Sequence, residues 1–210
     1  MSLSDIRREY LGQPFDEAHS DADPFRQFSL WFEQVLALEV DPTAMALATA
    51  TRDGRPSVRT VLLKGVDAQG FAFYTNYHSR KAREMEQTGR ASLLFLWRSV
   101  ERQVRVEGRV EKVTDAESDA YFATRPLESR WSVYASRQSD RIEGREALES
   151  RYEVARQIYG DTVPRPHWWG GYRVVPDEFE FWQGRASRLH DRLQYSRQAD
   201  GAWVRERLAP

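Results

Sequence analysis

The chain has 210 residues, with 31 basic and 32 acidic side chains and a formal net charge of −1. This balance excludes long-range attraction to nucleic acid or an anionic membrane as the basis of function, so any basic site must be local. Cysteine is absent and no apolar run could span a bilayer, which excludes disulfides and cysteine-ligated metal and leads us to expect a cytoplasmic protein without a membrane partner.

The first half of the chain is predicted to form one helix followed by strands. We expect residues 1–22 to be a flexible segment and residues 23–210 to form a single domain. Asp23 caps the helix, and Pro24 occupies its first position. Five strand-like runs follow, with a hairpin turn at Asp53-Gly54 between the first two. These runs are Ala44–Thr51, Ser57–Lys64, Phe71–Thr75, Ala91–Trp97 and Glu101–Val113.

The second half is predicted to contain two helices and then further strands. Thr114 caps a short helix that ends before Pro126, and a longer helix runs from about Arg145 to Tyr159 with Gly160 as its stop. The later strand-like runs are Trp168–Val175, Glu178–Gln183, Arg188–Ser196 and Ala202–Leu208. Many strands, short turns and few helices predict a mainly β protein of the α+β class, a closed or half-closed barrel with helices packed outside.

One predicted strand carries an unusual set of basic side chains. Arg188, His190 and Arg192 would share a face, because alternate residues of a strand point the same way. Three potentially cationic groups repel each other unless an anion lies among them, which favours a phosphate ester with a flat ring. A solvated strand edge guarded by charge is the alternative interpretation.

A second candidate anion site lies at a helix start. Ser79 is predicted to cap a helix over Ala82 to about Gln87, which places Arg80 and Lys81 against the helix dipole. A bound phosphate would make this arrangement favourable, because free backbone N–H groups, the dipole and two cations would all attract it. The alternative is two exposed side chains tolerated by solvent.

Two further pairs leave their roles open. Arg59 and Lys64 fall on opposite faces of their strand, so they could serve one site only if the strand bends or the ligand spans a subunit junction. Otherwise they are the polar ends of a buried strand. Tyr121 and Arg125 share a helix face, with Ser129 just beyond, and form either a cradle for a second phosphate or an ordinary surface pair.

Recognisable catalytic motifs are missing from the sequence. There is no glycine-rich phosphate loop and no Gly-x-Ser-x-Gly nucleophile elbow. The chain has four histidines, and their spacing does not match that of metal ligands: His19, His78, His167 and His190. The sequence offers candidate anion sites and many aromatic residues, but no evident catalytic base or nucleophile. This combination indicates an organic cofactor that carries out the chemical step itself.

These segments together closely resemble the pyridoxine (pyridoxamine) 5′-phosphate oxidase family over nearly the whole chain. The most specific block is Trp182-Gln183-Gly184 followed by Arg188–Arg192. The other matching segments are Arg7–Tyr10, Arg59–Lys64, Tyr74-Thr75, Ser79–Lys81, Glu101–Val104, Trp168–Val174, Glu180–Phe181 and Arg207–Pro210.

The resemblance implies a fold, a cofactor and a reaction. The fold would be an FMN-binding split β-barrel, a homodimer holding two flavins at the subunit interface. The enzyme would oxidise pyridoxine 5′-phosphate or pyridoxamine 5′-phosphate, the phosphorylated forms of vitamin B6, to pyridoxal 5′-phosphate while O2 is reduced to H2O2. By resemblance, the flavin contacts would be Arg59, Thr60, Val61, Leu62, Leu63, Lys64, Tyr74, Thr75, Arg80, Lys81, Gln103, Gln138, Ser139, Trp182 and Arg192.

The resemblance also implies substrate-binding and catalytic residues. The substrate phosphate would be held by Lys64, Tyr121, Arg125 and Ser129. Arg188 and His190 would lie over and beside the pyridine ring as the catalytic residues. A mobile segment near the substrate would consist of Arg7, Arg8, Glu9 and Tyr10.

One segment departs from the family pattern. The chain reads Arg130-Trp131-Ser132-Val133-Tyr134 where the family usually has Gln-Ile-Gly-Ala-Trp. We expect the added positive charge and the lost glycine to alter substrate access or loop mobility. Two other functions compete with the first: a flavin oxidase of the same fold acting on another ring, as in phenazine biosynthesis, and a non-catalytic carrier or sensor of FMN or pyridoxal phosphate.

Overall fold

The chain folds into a curled antiparallel sheet with helices packed outside it. The computed structural model describes residues 2–5 and 8–210. The strands of these residues are β1 (Ala44–Ala50), β2 (Pro56–Leu62), β3 (Gly65–Asp67), β4 (Gly70–Asn76), β5 (Arg90–Trp97), β6 (Arg102–Lys112), β7 (Trp169–Gln183), β8 (Asp191–Arg197) and β9 (Trp203–Arg207). The helices are α1 (Pro24–Val35), α2 (Arg80–Thr88), α3 (Asp115–Thr124), α4 (Leu127–Ala135) and α5 (Arg145–Tyr159). The predicted α+β class, mainly β with helices outside, is confirmed. None of the described helices has both the length and the hydropathy that a bilayer crossing requires.

Strand β7 is the centre of the sheet. The strands follow the order β2-β1-β5-β6-β7-β4-β3, while β8 pairs with β7 and β9 pairs with β8. The first half of β7 pairs with β4 and its second half with β8, while β6 runs along most of its length. The prediction of two separate strands here was wrong. Pro176 lacks a backbone N–H, but it lies opposite Gly108 at a β-bulge, where one strand can bend and continue.

Helix α1 closes one side of the sheet. Asp23 accepts a hydrogen bond from the backbone N–H of Phe25 at 2.9 Å, so the predicted cap is confirmed. Phe28 and Trp31 point inward and are almost fully buried. Phe28 packs edge-on against Phe71 of β4, and Trp31 packs edge-on against Phe181 of β7. These aromatic contacts tie the helix to both halves of the sheet.

The predicted strand Arg188–Ser196 begins later than expected. Residues Ala186–Arg188 form a single 3₁₀ turn, and β8 starts at Asp191. Ser187 and Arg188 both have left-handed backbone angles, with φ of 57° and 60°. Two consecutive left-handed residues cannot belong to an extended strand. The prediction that Arg188, His190 and Arg192 share one strand face was therefore wrong.

Gly108 is predicted to be indispensable at the bulge. A Cβ added there would lie 2.0 Å from the carbonyl oxygen of Val175, a backbone atom that cannot move aside. We expect Gly108→Ala to lower the free energy of unfolding by about 2–3 kcal/mol. Urea unfolding measures the effect, with Gly65→Ala as the control because its new methyl would meet only Ala72, at 3.7 Å. Equal stability of the two variants would contradict the role assigned to the bulge.

Candidate functional site

A cavity of about 1010 Å³ lies beside the edge strand β2. Its walls come from β2, β4, the start of α2, helices α3 and α4, and the loop that leads to α5. It gathers many of the residues predicted from the family resemblance: Arg59, Thr60, Val61, Leu62, Lys64, Tyr74, Thr75, Arg80, Lys81, Tyr121, Arg125, Gln138 and Ser139. A cavity of this size can hold an organic cofactor together with a small substrate.

The position of β2 explains how Arg59 and Lys64 reach the same cavity. Strand β2 stands at the end of the strand order, so one edge of it faces the cavity. The strand stops at Leu62, and Lys64 lies beyond it, where its backbone N–H donates to the carbonyl of Ala72. Alternation along a strand therefore no longer dictates where Lys64 points. Leu63, by contrast, is buried in the core and does not line the cavity.

Lys81 is a buried cation at the start of α2. Its side chain is 8% exposed, and its ammonium group donates to Thr75 Oγ1 at 3.1 Å and to Gln138 Oε1 at 3.0 Å. Both partners are neutral, and no carboxylate pairs with Lys81 in the residues that the structure describes. Burial, with a smaller contribution from the nearby charge of Arg59, lowers the pKa of Lys81 to about 8.

The loop before α5 covers the start of α2. Ser79 caps the helix, as predicted, and helix α2 begins at Arg80, two residues earlier than expected. The backbone N–H of Arg80 donates to Ser139 Oγ at 3.1 Å. Ser139 has a left-handed φ of 75°, a conformation that costs a non-glycine residue free energy and often marks a functional loop. Ser139 thus accepts a backbone N–H at the helix start, and an anion bound there could accept the same N–H in its place.

Sequence reasoning missed Glu84, which organises two of the cavity's arginines. This buried carboxylate forms ion pairs with Arg80 at 2.7 Å and Arg59 at 3.3 Å. Burial alone would raise its pKa, but hydrogen bonds from Ser57, Thr49 and Arg80 outweigh burial and lower the pKa of Glu84 to about 2. The spacing of Arg80 and Glu84 on one helix face was the signal that could have revealed it.

Aromatic rings form a second wall of the cavity. Tyr74 and Tyr121 stack with their centroids 3.9 Å apart, and the ring of Trp169 is nearly parallel to both. The guanidinium of Arg125 lies 4.7 Å from the centroid of Trp169. Its Nη1 atom is buried, and no hydrogen-bond partner for it exists within residues 2–5 and 8–210. Ser129 lies on α4 outside the cavity lining.

The remaining predicted residues form a separate group, which we call the far cluster: Tyr10, Gln103, Trp182, Arg188, His190 and Arg192. Tyr10 meets both Trp182 and His190 edge-on, with centroid distances of 5.6 and 5.3 Å. Trp169 of the cavity and Trp182 lie at opposite ends of the 15-residue strand β7. At about 3.3 Å per residue, they are separated by roughly 40 Å along the strand. None of the six far-cluster residues lines the cavity of the same chain.

Hydrogen bonds fix the far cluster. Gln103 lies opposite Trp182 in the β6–β7 register. Arg192 donates to Glu180 at 2.8 Å and to the carbonyl of Ala209 at 2.7 Å. His190 Nδ1 accepts the backbone N–H of Arg185 at 3.1 Å. The neutral imidazole must therefore carry its proton on Nε2, and burial together with nearby Arg188 lowers the pKa of His190.

The N-terminal residues reach the far cluster as well. Arg8 pairs with Glu101 at 2.9 Å, and the same carboxylate accepts the backbone N–H of Leu11. Glu101 has a left-handed φ of 58°. Glu9 is exposed, whereas Tyr10 is partly buried against the cluster. Arg7, the other predicted residue of this segment, lies outside the described residues.

Comparison with known proteins identifies relatives over the full length. The family described as pyridoxamine 5′-phosphate oxidase matches residues 32–159, and the family described as pyridoxine 5′-phosphate oxidase C-terminal dimerisation region matches residues 169–210. A pyridoxine/pyridoxamine 5′-phosphate oxidase of Bordetella petrii is 56% identical over 211 residues, covering 100% of both chains. One of Rubrobacter xylanophilus is 56% identical, covering 99% of this chain and 96% of its own.

Solved structures agree on the fold. PhzG from Burkholderia lata 383, determined in complex with tetrahydrophenazine-1-carboxylic acid, is 35% identical with a TM-score of 0.89, covering 95% of this chain and 99% of its own. A pyridoxamine 5′-phosphate oxidase-related, FMN binding protein from Nostoc punctiforme is 19% identical with a TM-score of 0.72, covering 90% of this chain and 100% of its own. The predicted split-barrel architecture is thereby confirmed.

Lys81 is predicted to reduce the stability of the ligand-free protein. Its folded pKa of about 8 lies below the ordinary 10.5, so the cost of burying the charge is present below pH 8 and disappears as pH rises toward 10.5. We expect Lys81→Met to raise the free energy of unfolding by about 1–2 kcal/mol at pH 7 and by less at pH 10.

Urea unfolding of ligand-free protein at both pH values tests this prediction. Lys112→Met is the matched control, because Lys112 is half exposed and pairs with Glu86 at 2.9 Å. Removal of that surface pair should change stability by no more than about 1 kcal/mol in either direction. A Lys81→Met variant that is less stable than the unmodified protein at pH 7 would show that Lys81 serves the fold.

Proposed function

This chain belongs to the pyridoxamine 5′-phosphate oxidase family, and from that premise we propose that it is an FMN-dependent oxidase. Its substrate is pyridoxine 5′-phosphate or pyridoxamine 5′-phosphate, and its product is pyridoxal 5′-phosphate, with O2 reduced to H2O2. Oxidation of the amine also consumes water and releases ammonia, because the imine formed first is hydrolysed. Relatives that carry this name are 53–56% identical over the full chain. The proposal assigns this activity to the cavity beside β2.

The observation that carries the proposal is a pair of cations without carboxylate partners in one cavity, one of them buried (Lys81) and one half-buried (Arg125). Lys81 donates only to neutral groups, and Arg125 has a buried Nη1 without a partner, both judged over the described residues. Burying a charge without a counter-ion is costly, so such groups persist where a ligand supplies the opposite charge. Two phosphates in one cavity, one from FMN and one from the substrate, fit this arrangement.

The FMN phosphate is assigned to the start of α2. Lys81, Arg80 and Arg59 provide the positive charge, and the backbone N–H groups of the helix start provide further donors. Thr75 and Gln138, which hold Lys81 in place, would also contact the cofactor. Bound FMN would supply the two-electron oxidation of the substrate and the reaction with O2.

The substrate phosphate is assigned to Arg125 and Tyr121. Both line the cavity, and the stack of Tyr74, Tyr121 and Trp169 keeps them in place. Lys64, which also lines the cavity, completes the phosphate site, and Ser129 on α4 is assigned to it by the family resemblance alone. Charge-assisted hydrogen bonds of about 1.5–3 kcal/mol each would anchor the phosphate and orient the reacting end of the molecule.

A second copy of the chain completes the site in this proposal. Residues 169–210 match a dimerisation region, and none of the six far-cluster residues lines the cavity of its own chain. The second copy would contribute Gln103, Trp182, Arg188, His190 and Arg192. His190 would act as a neutral hydrogen-bond donor through Nε2, because its Nδ1 is already occupied by the N–H of Arg185. Arg188 would approach the ring from its left-handed turn.

A second candidate reaction has a specific structural basis. PhzG resembles this chain with a TM-score of 0.89 and was determined with tetrahydrophenazine-1-carboxylic acid. A carboxylate could also pair with Arg125. The phosphorylated substrate is favoured because Lys64, Tyr121 and Arg125 all line the cavity and together suit a dianionic phosphate.

Oxygen consumption by the FMN-loaded protein tests the function. We expect steady turnover and H2O2 release with both phosphorylated vitamers, and kcat/KM at least about 100-fold lower with unphosphorylated pyridoxine, because the phosphate contacts are lost. A reduced phenazine carboxylic acid serves as the competing substrate. Faster oxidation of the phenazine would favour the second candidate, and FMN binding without oxidation of either substrate would favour a carrier.

Mixed dimers test whether two chains share each site. Arg125→Leu damages the cavity and Arg188→Ala damages the far cluster, and we expect each variant alone to be nearly inactive. Co-expression should restore about a quarter of the unmodified activity, because about half of randomly paired dimers are mixed and each mixed dimer holds one intact site. Arg188→Ala co-expressed with Arg192→Ala is the control and should recover nothing, because both variants damage the same cluster. Absence of recovery in the first mixture would mean that each site lies within one chain.

A further inference from the structure

Glu84 of α2 lies behind the cavity wall and acts on the cavity only through other side chains. Its carboxylate is 3% exposed and does not line the cavity, whereas Ser57, Arg59 and Arg80 do. Oε1 accepts the Nε–H of Arg80 at 2.7 Å, and Oε2 accepts an Nη2–H of Arg59 at 3.3 Å. The hydroxyl groups of Thr49 and Ser57 donate to the same Oε2. Donors from β1, β2 and α2 therefore hold both oxygens in place.

The same network fixes the guanidinium of Arg59. Its Nη1 donates to the carbonyl of Leu47 at 3.0 Å and to Thr49 Oγ1. Its Nη2 donates to Ser57 Oγ and to Glu84. Leu47 is the residue opposite Arg59 in the β1–β2 register, so the strand pairing itself brings the acceptor into place. A planar guanidinium that is bonded through both terminal nitrogens has one orientation toward the cavity.

Arg80 depends on Glu84 more completely. Its side chain is 58% exposed, and over the part of the chain that the structure describes its guanidinium bonds only to Glu84, through Nε. Both terminal nitrogens are left for an anion in the cavity that Arg80 lines. Without the carboxylate, this long side chain would turn freely into solvent. Binding of a phosphate would then cost the rotamer freedom that Glu84 has already removed.

Mutual repulsion of the cations strengthens this dependence. Burial lowers the pKa of Arg59, Glu84 opposes that change, and the charge of Arg80 adds to it. The charge of Arg59 in turn adds to the effect of burial on the pKa of Lys81. The three cations therefore repel one another before any anion has bound, and Glu84 pairs with two of them. Loss of the carboxylate would drive the exposed member, Arg80, away from the other two.

We propose that Glu84 is a positioning residue for the FMN phosphate, because it holds Arg59 and Arg80 at the cavity wall before the cofactor binds. This inference rests on the proposed function, which places the FMN phosphate at the start of α2. The charge of Glu84 also repels a phosphate, but loss of two held guanidinium groups lowers affinity more than removal of that repulsion raises it. Glu84 thereby sets the preference for FMN over riboflavin, which has the same ring system and no phosphate.

Flavin titration of the full chain, freed of bound cofactor, tests the inference by the fluorescence of FMN and of riboflavin. We expect Glu84→Gln to raise the Kd for FMN about tenfold and to change the Kd for riboflavin less than about twofold. The loss is expected because every group that faces the carboxylate donates a hydrogen bond to it, and an amide nitrogen is itself a donor. Glu86→Gln is the matched control. Glu86 lies on the same helix but pairs with Lys112, so both Kd values should stay unchanged.

A second substitution shows whether Glu84 acts through Arg80. In an Arg80→Gln protein, Glu84→Gln should raise the Kd for FMN by less than about threefold, because one of the two groups that Glu84 holds is already absent. An undiminished loss in that protein would overturn the inference, and so would unchanged or tighter FMN binding in Glu84→Gln alone. Equal weakening of FMN and riboflavin would mean that Glu84 serves only the fold. If the unmodified protein bound riboflavin as tightly as FMN, the proposed phosphate site at α2 would be overturned, and the inference with it.

Discussion

The cavity beside β2 is built around positive charge that the chain itself does not neutralise. Glu84 neutralises part of it by pairing with Arg59 and Arg80, and its pKa of about 2 keeps it ionised at any physiological pH. With Lys81 included, three cations and one anion leave a net charge of two positive units at this end of the cavity. A phosphate monoester carries nearly two negative charges at neutral pH, so the charges match. Glu84 therefore sets the net charge that the proposed phosphate site offers.

The length of β7 imposes the second constraint. The strand carries a cavity residue, Trp169, at one end and a far-cluster residue, Trp182, at the other. The bulge at Gly108 and Pro176 bends this strand without interrupting it, so its two ends are fixed relative to each other. In the proposed dimer, a twofold axis would bring the cavity of one chain next to the far cluster of the other. The fixed spacing of the two ends of β7 would then set the distance between these two groups. Gly108 thus affects the site through the geometry of the sheet.

Local patterns predicted regular elements well and irregular ones poorly. Helix α5 was bounded correctly because Gly160 stops it, and α3 because Thr114 caps it and Pro126 follows. Helix α4 was missed, since Pro126 was interpreted only as an end and no capping side chain marks a new start. The turn at Ser187-Arg188 was missed because alternation of charged residues imitates a strand, and the left-handed conformation of ordinary residues leaves no trace in the sequence.

The same distinction explains which site residues could be found from spacing. Arg80 and Lys81 stood out because they oppose a helix dipole, a conflict visible in the sequence. Gln138 and Ser139 lie in a loop without periodicity, so only family resemblance pointed to them. Glu84 was overlooked because a carboxylate one turn after an arginine usually indicates a surface pair. Its burial depends on Thr49 and Ser57, which long-range strand pairing brings to the helix.

Four non-glycine residues with strained, left-handed backbone angles lie at the cavity and around the far cluster. Ser139 adopts its left-handed conformation at the cavity, while Glu101, Ser187 and Arg188 adopt theirs around the far cluster. Such residues cost about 1–3 kcal/mol each, and the rigid structure that holds them must supply that free energy. Here α2 anchors Ser139 through the N–H of Arg80, and Arg8 and Leu11 anchor Glu101. Strain therefore occurs at the cavity and at the far cluster alike, the two surfaces that the proposed dimer would bring together.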